Sequence, residues 1–359
     1  MMDEDDYSKK HKVKSKDGNM KKYTHKDRHN KDNLNSIANS KEAKPIGLLV
    51  YNPAEAQKLG NIGIVAELNP ANYKILYKGN FIEGIAENNY QKGIINQLVV
   101  GDNVIFELEK SNPVIKGRTE RHSKLVRLRA DSSKKSLVGS EEHVIVANID
   151  VAVIVASTIQ PAFNPNLVDR YLIISQYGNV SPILCITKTD LAPPPDISMY
   201  KNADLPIIKV SNKTMDGISD LLSYIKGKRC VMIGSSGVGK SSLINSILED
   251  DVLFTDEISK KSGKGRHTTS SSSLHLLDES TMLIDTPGIR SLGLWNLDAD
   301  SLRLYYPEFA EFAPNCKFSD CTHSHEPGCA VKKAVEEGFI SKERYDSYIR
   351  LLEKLEFEK

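Results

Sequence analysis

The segment from Arg229 to Leu248 constrains the fold of this chain more than any other stretch. An apolar run at 230–233, typical of a buried parallel strand, stops at a loop that matches G-x-x-x-x-G-K-[ST] at every fixed position. Apolar residues at helical spacing follow. Strand, glycine-rich turn and helix in this order are the context that a phosphate-binding loop requires. The sequence therefore predicts a nucleotide site at a strand end in an α/β domain.

The parts of this loop have separate chemical tasks. Its glycines let backbone N–H groups close around phosphate oxygens, and the helix N-terminus adds positive potential. Lys240 is predicted to reach the β- and γ-phosphates and to assist catalysis, and Ser241 is predicted to ligate Mg²⁺. The predicted nucleotide contacts here are Gly234, Ser235, Ser236, Gly237, Val238, Gly239, Lys240, Ser241 and Ser242. The alternative is a Gly- and Ser-rich turn without a ligand.

A second motif, Thr187-Lys188-Thr189-Asp190, follows another predicted strand and looks like the N/T-K-x-D motif of GTPases. Asp190 can accept hydrogen bonds from guanine N1–H and N2–H₂, a donor pair that adenine lacks, so it favours GTP and argues against an ATP kinase. The stem of Lys188 can cover the base, and Ser211 is predicted to close the pocket. Thr187 stands where many GTPases have Asn, which removes one amide donor.

A third motif, Asp285-Thr286-Pro287-Gly288, looks like the DxxG motif of GTPases. Asp285 ends a predicted strand, where a carboxylate can act on Mg²⁺ beside a phosphate loop, and Gly288 is predicted to contact the nucleotide. Ordinary GTPases run phosphate loop, DxxG, then base motif, whereas here the base motif comes first and DxxG last. This order predicts a circularly permuted GTPase whose switch leads directly into the C-terminal region.

Hydrolysis requires a residue that orients the attacking water. Ile289 stands where many GTPases place a Gln, and its apolar side chain cannot do this. His267 is the candidate substitute, although it can also be a surface loop residue. Thr268 or Thr269 in the same segment is predicted to bind Mg²⁺ and to sense the γ-phosphate. We expect slow turnover without a partner.

The N-terminal half carries two further signals. Short strands are predicted between Pro45 and Thr119, at 46–51, 62–66 and 73–77, with a pair of strands around a Gly-Asp turn at 98–107. This pattern is typical of a small barrel such as an OB-fold. The segment from Arg118 to Arg129 interleaves basic residues with Leu and Val, which predicts an RNA backbone contact or, as the alternative, a solvated linker.

Cysteine usage separates two kinds of thiol among the five in the chain. Cys185 and Cys230 lie within predicted strands and are expected to be inert core residues. The pattern Cys316-x4-Cys321-x-His323-x5-Cys329 offers three thiols and an imidazole, a set that suits a closed, structural Zn²⁺ site. His325 is a rival ligand. Helices are predicted to follow at 330–337 and 341–356.

Length and charge bound the remaining possibilities. The 359 residues predict two or three domains, and the net charge is only +1. Residues 1–45 are rich in Lys, His, Asp and Asn, so this basic tail is predicted to be disordered and to suit a polyanion such as RNA, or else to be a solvated tail. No apolar run approaches the ~18 residues of a membrane span, and we expect a soluble, cytoplasmic protein with no membrane contact.

The combination resembles the ribosome small-subunit-dependent GTPase A family over about residues 46 to 357. Besides the motifs already described, the resemblance rests on Ala147-Asn148-Ile149-Asp150, Asp169-Arg170-Tyr171-Leu172, Gly265-Arg266-His267-Thr268-Thr269, Leu292-Gly293-Leu294-Trp295 and Pro327-Gly328-Cys329-Ala330. It implies a multidomain chain with an OB-fold β-barrel, an α/β circularly permuted P-loop GTPase domain and a small α-helical zinc-binding domain. We expect these at 46–135, 136–296 and 297–359.

The resemblance also implies a function. It implies GTP hydrolysis to GDP that is stimulated by the small (30S) ribosomal subunit, contact with the 16S rRNA of that subunit, and a role in its late maturation. It implies a catalytic role for His267 and a zinc site formed by Cys316, Cys321, His323 and Cys329. We expect a monomer. The alternative is a permuted GTPase that acts on another RNA or protein.

Overall fold

The computed structural model describes residues 49–86, 98–109, 112–127, 143–249, 272–286 and 297–357. All of them belong to one compact unit, Ile46–Lys359. The strands are β1 (Leu49–Tyr51), β2 (Asn61–Leu68), β3 (Tyr73–Tyr77), β4 (Asn80–Ala86), β5 (Asn103–Glu109), β6 (Asn112–Thr119), β7 (Lys124–Arg127), β8 (His143–Ala147), β9 (Val151–Ser157), β10 (Ser181–Thr187), β11 (Ile207–Lys209), β12 (Arg229–Ile233), β13 (Ser273–Leu276) and β14 (Met282–Asp285). The helices are α1 (Pro53–Leu59), α2 (Pro165–Tyr177), α3 (Ile218–Ile225), α4 (Lys240–Glu249), α5 (Ala299–Leu302), α6 (Ala330–Glu336) and α7 (Lys342–Phe357). None of the helices in these ranges is both long and apolar enough to cross a bilayer.

A five-stranded barrel forms the N-terminal part of this unit. Its strands pair in the closed order β2-β3-β4-β6-β5-β2, with β4 and β6 parallel and the other pairs antiparallel. Val65, Ile75 and Phe106 fill its interior. The predicted barrel is confirmed, but the sequence analysis missed β4 and β6. Residues 98–107 are predicted as a pair of strands around a Gly-Asp turn, whereas the structure has a single strand there, β5, which begins at Asn103 after that turn.

A parallel sheet carries the predicted phosphate loop. Strands β14, β12, β9, β10 and β11 lie side by side in parallel, and β13 adds an antiparallel strand next to β14. Helix α2 packs on one face, and α3 and α4 pack on the other. Every residue of β9 is buried, as expected for a central strand covered on both faces. Cys185 and Cys230 are buried in this sheet, and burial raises the pKa of each thiol to about 12.

The Asn148–Asp150 motif lies where the barrel meets this sheet. Asn148 Nδ2 donates to the carbonyl of Gly101 at 3.0 Å, and its Oδ1 accepts from His122 N at 3.2 Å. Asp150 Oδ2 accepts from the backbone N–H of Arg229, the first residue of the phosphate-loop strand, at 2.7 Å. The sequence alone indicates no chemical role for these residues. In the structure Asn148 fixes the barrel loop at Gly101, and Asp150 fixes the start of the phosphate-loop strand.

Two arginines of the segment predicted to contact RNA, Arg118 and Arg121, have partners within the barrel. Arg118 is buried and donates to the carbonyl of Thr119 at 2.9 Å. Arg121 donates to both carboxylate oxygens of the buried Asp102 at 2.7 Å. Because a buried carboxylate requires a paired cation, Arg121 stabilises the barrel by balancing the charge of Asp102. Residues 128–142 lie outside the described ranges.

The C-terminal region packs on helix α2. Tyr306, Phe309 and Tyr348 form its aromatic centre, with ring centroids 5.1 Å apart. Arg344 of α7 donates to Asp169 of α2 at 2.5 Å and to Glu308 at 2.6 Å. All three charged side chains are buried, so this ion cluster fixes the C-terminal region to the parallel sheet.

Candidate nucleotide site and metal cluster

The predicted phosphate loop connects β12 to α4, as the sequence indicates. A Cβ at Gly234 would lie 2.3 Å from the carbonyl oxygen of Val155, so only glycine fits between these neighbouring strands. Gly239 has a φ of 94°, which L side chains rarely adopt. The loop geometry therefore depends on these two glycines.

The ammonium of Lys240 folds back onto the start of the loop. Its Nζ donates to the carbonyls of Gly234 at 2.8 Å and Ser235 at 2.7 Å. The cationic group therefore lies against the loop backbone, where phosphate oxygens could replace the carbonyls as its acceptors.

The base motif touches the phosphate loop directly. Lys188 Nζ donates to the carbonyl of Gly237 at 2.7 Å and also to the carbonyl of Gln160. Thr187 Oγ1 donates to the carbonyl of Val238 at 2.5 Å. Two segments that are far apart in the chain therefore meet at one edge of the sheet, as the nucleotide hypothesis requires.

Thr187 has a role that sequence reasoning missed. Its side chain is fully buried, and besides Val238 it lies 3.2 Å from the carbonyl of Ala156. The sequence analysis counted only the lost amide donor of the usual Asn. In the structure the hydroxyl itself bridges the base motif to the phosphate loop.

Asp190 lies at the same edge, and Ser211 orients its carboxylate. Ser211 Oγ donates to Asp190 Oδ1 at 2.8 Å and accepts from the backbone N–H of Thr214 at 3.1 Å. Asn212, which the sequence analysis did not single out, has a buried Oδ1 without a partner among the described residues. Its Nδ2 lies 3.8 Å from the Cβ position of Gly239, so it also belongs to this edge.

The third motif is described only in part. Asp285 ends β14, which pairs in parallel with the phosphate-loop strand so that Ile284 stands opposite Val231. The buried Oγ1 of Thr286 has no partner among the described residues. The carboxylate of Asp285 and the hydroxyl of Ser241 are oxygen ligands of the kind that Mg²⁺ prefers. His267, Thr268, Thr269, Gly288 and Ile289 lie outside the described residues.

The cysteine pattern folds into a compact cluster. The ligand atoms of Cys316, Cys321, His323 and Cys329 all lie within 4.8 Å of one another. His323 Nδ1 is 3.5 Å from the sulfurs of both Cys316 and Cys329. The rival His325 is exposed and bonds to Ser324 instead. Three thiols and one imidazole at these separations could hold a metal ion.

Hydrogen bonds to neighbouring residues fix the backbone of this cluster. Tyr345 donates to the carbonyl of His323 at 2.7 Å, and Arg303 donates to the carbonyl of Cys321 at 2.7 Å. Burial raises the pKa of Cys321 to about 12, so a bound metal ion would have to displace its proton. Burial also raises the pKa of Glu326, but hydrogen bonds from Thr322 and Ser324 outweigh it and bring that pKa to about 2.

Comparison with known proteins decides the family. A family model described as RsgA GTPase matches residues 118–295. The small ribosomal subunit biogenesis GTPase RsgA of Chlorobaculum parvum is 42% identical over 270 residues, which cover 73% of this chain and 86% of that protein. The chain belongs to the RsgA GTPase family.

Another RsgA protein of the same name, from Shewanella oneidensis, is 37% identical over 73% of this chain and 75% of its own length. The crystal structure of YjeQ from Thermotoga maritima matches with a TM-score of 0.65 at 28% identity, over 82% of this chain and 98% of that chain. YloQ, described as a circularly permuted GTPase, matches with a TM-score of 0.64 at 27% identity, over 83% of this chain and 96% of its own.

Membership of the RsgA family makes this chain a GTP hydrolase with a circularly permuted GTPase domain. The predicted barrel, permuted order and cysteine cluster are therefore confirmed together. Within the described residues, the structure brings the phosphate loop, the base motif and Asp285 to one end of the parallel strands, as in other open α/β sheets that bind ligands there.

Proposed function

We propose that this chain binds GTP across the edge where Lys188 meets Gly237, and hydrolyses it on the small ribosomal subunit during late maturation of that subunit. The observation that carries this proposal is the direct contact between base motif and phosphate loop, with Asp190 beside it. The small ribosomal subunit is proposed as the partner because the relatives are named small ribosomal subunit biogenesis GTPases.

We assign the base and phosphate contacts residue by residue. Asp190 accepts from the guanine edge, with Ser211 holding its carboxylate and Lys188 covering the ring. Thr187 and Thr189 keep the base motif in place, Thr187 through the phosphate loop and Thr189 through the carbonyl of Val210 at 3.1 Å. The phosphate contacts are assigned to Gly234, Ser235, Ser236, Gly237, Val238, Gly239, Lys240, Ser241, Ser242, Asp285 and Gly288.

Hydrolysis needs charge neutralisation and a positioned water. Lys240 stabilises the charge that develops on the γ-phosphate, and His267 orients the attacking water. Ser241, Asp285 and one of Thr268 and Thr269 hold Mg²⁺, which neutralises charge on the β- and γ-phosphate oxygens when bound. The oxygen donors of Ser241 and Asp285 fit this ion.

We assign the cysteine cluster to one structural Zn²⁺. Three sulfurs and one nitrogen match the ligand preference of zinc and leave no open position for catalysis. The ion would hold the chain around 316–329 against α6, which begins directly after Cys329. The stability of the C-terminal helices would then depend on the metal.

The proposal also covers the domains of the chain and its partners. We propose a barrel domain at 46–135, a GTPase domain at 136–296 and a zinc domain at 297–359, preceded by a basic tail at 1–45. We propose that the protein works as a cytoplasmic monomer and contacts the 16S rRNA, whose phosphates a basic tail would attract.

The test is GTP turnover by the full chain with and without purified 30S subunits. We expect stimulation in the wild type, and we expect His267→Ala to keep its affinity for a GTP analogue while losing stimulated turnover. Equal turnover with and without subunits would remove the ribosomal role. Unchanged stimulated turnover in His267→Ala would remove that residue from the mechanism.

A second candidate is a permuted GTPase that acts on another RNA or protein. Cosedimentation with 30S subunits in the presence of a non-hydrolysable GTP analogue separates the two functions, because only the first predicts a stable complex.

A further inference from the structure

One row of polar side chains crosses the seam between the barrel and the parallel sheet. Ser273 of β13 stands opposite Glu67 of β2 on one side and opposite Asp285 of β14 on the other. Glu67 in turn stands opposite Lys74 of β3, and Lys74 Nζ lies 3.9 Å from Glu67 Oε2. Directly opposed residues in antiparallel strands project from the same face. The row therefore leads from the barrel to the carboxylate assigned above to Mg²⁺.

His275 lies among the charged groups of this row. Its Nε2 lies 3.2 Å from Ser273 Oγ, so its ring belongs to the same face. Burial lowers the pKa of His275, the negative charges of Asp285 and Glu67 oppose that shift, and the positive charge of Lys74 reinforces it. Groups from the barrel and from the GTPase sheet thus share one electrostatic neighbourhood.

The separation along the row is short enough for an electrostatic effect. Neighbouring strands lie about 4.8 Å apart, so Glu67 is roughly 10 Å from Asp285, two strand spacings away. That distance is close to the Debye length of about 8 Å at physiological salt. Salt therefore weakens the electrostatic interaction between Glu67 and a cation at the metal position without abolishing it. Because the charge of Glu67 is negative, this interaction attracts the cation.

We propose that Glu67 and Lys74 set the Mg²⁺ affinity of the nucleotide site through the charge of this row. The inference rests on the proposed nucleotide function, and in particular on Asp285 as part of the metal site. The carboxylate of Glu67 attracts the cation, and the ammonium of Lys74 offsets part of that attraction. The side chain of Lys74 is 41% exposed, so a partner that contacts it on the barrel changes the same balance.

The test is the Mg²⁺ concentration that gives half-maximal binding of a fluorescent, non-hydrolysable GTP analogue to the full chain. We expect this midpoint to rise by about two- to fourfold in Glu67→Gln and to fall by a smaller factor in Lys74→Met, because Lys74 lies one strand spacing farther from Asp285. Both shifts should shrink in high salt. Surface ion pairs contribute little to stability, so neither variant should unfold.

The barrel supplies a matched control pair. Lys116 Nζ lies 3.7 Å from Glu107 Oε2, again between neighbouring strands, but this pair is not part of the row that ends at Asp285. Glu107→Gln and Lys116→Met should therefore leave the Mg²⁺ midpoint unchanged.

Opposite shifts in the two row variants, with unchanged controls, support the proposal. Shifts in the same direction would indicate damage to the fold and overturn it, as would midpoints equal to that of the wild type. A wild-type chain that does not bind the analogue at any Mg²⁺ concentration would instead remove the nucleotide function, and this inference with it. The two failures are therefore distinguishable.

Discussion

The nucleotide edge and the cysteine cluster are assembled in opposite ways. The cluster draws its four ligands from one short segment, Cys316 to Cys329, so that local turns bring them together. The nucleotide edge combines three segments that are far apart in the chain, around Thr187, Gly237 and Asp285, and only the strand order brings them together. The cysteine cluster can therefore be disrupted without unfolding the sheet, whereas the nucleotide edge exists only when the sheet is folded.

The largest effect should come from the local site. We expect His323→Ala to reduce bound zinc from one ion per chain to none, and to cost about 4 kcal/mol or more of stability, because the metal holds a segment with little core of its own. Metal analysis and thermal unfolding measure both quantities. His325→Ala is the matched control, since that ring is exposed and bonds to Ser324.

Loss of zinc should leave the nucleotide edge intact if the two sites are as independent as their construction indicates. Binding of a GTP analogue to His323→Ala should therefore remain close to that of the wild type. A parallel loss of zinc and of nucleotide affinity would show that the two sites depend on each other.

The next largest effect concerns the base. Asp190→Asn should weaken GTP binding by roughly a thousandfold, because the guanine donor pair loses its carboxylate acceptor. The amide can instead donate to the 2-oxo group of xanthine, so affinity for XTP should rise. Competition between GTP, XTP and ATP for a fluorescent nucleotide measures this. Equal losses for all three nucleotides would mean that Asp190 does not read the base.

A smaller effect should come from the bridge between the two segments. Thr187→Val leaves the carbonyl of Val238 without its donor and should weaken GTP analogue binding by about fivefold, or ~1 kcal/mol. Thr119→Val is the matched control, because its buried hydroxyl also donates to a backbone carbonyl, that of Glu120, but lies in the barrel and away from the loop. Similar affinities for the two variants would remove the bridging role from Thr187.

The difference between the sites also explains what the sequence could predict. The phosphate-loop motif and the cysteine pattern are each continuous in the sequence, and in the structure the first joins a strand to a helix and the second forms a compact cluster. The joining of Thr187 to Val238 depends on strand order, and no spacing along the chain indicates it. The ion pair between Arg121 and Asp102 could not be predicted for the same reason, because only the fold of the barrel brings these two side chains together.

Strand β13 illustrates the remaining limit. No pattern in the sequence predicts the strand Ser273–Leu276. Four residues with alternating side chains are too short for a periodic signal, and β13 owes its extended form to pairing with both β14 and β2. The sequence therefore could not predict that β13 connects the barrel to the parallel sheet.

The central claim is that one guanine nucleotide spans the base motif and the phosphate loop. A crystal structure of the full chain with a non-hydrolysable GTP analogue and Mg²⁺ tests this claim most directly. We predict guanine N1–H and N2–H₂ within hydrogen-bonding distance of the Asp190 carboxylate, and the β- and γ-phosphates of the same molecule within reach of Lys240 Nζ. A phosphate chain at Lys240 whose base lies away from Asp190 would contradict the account.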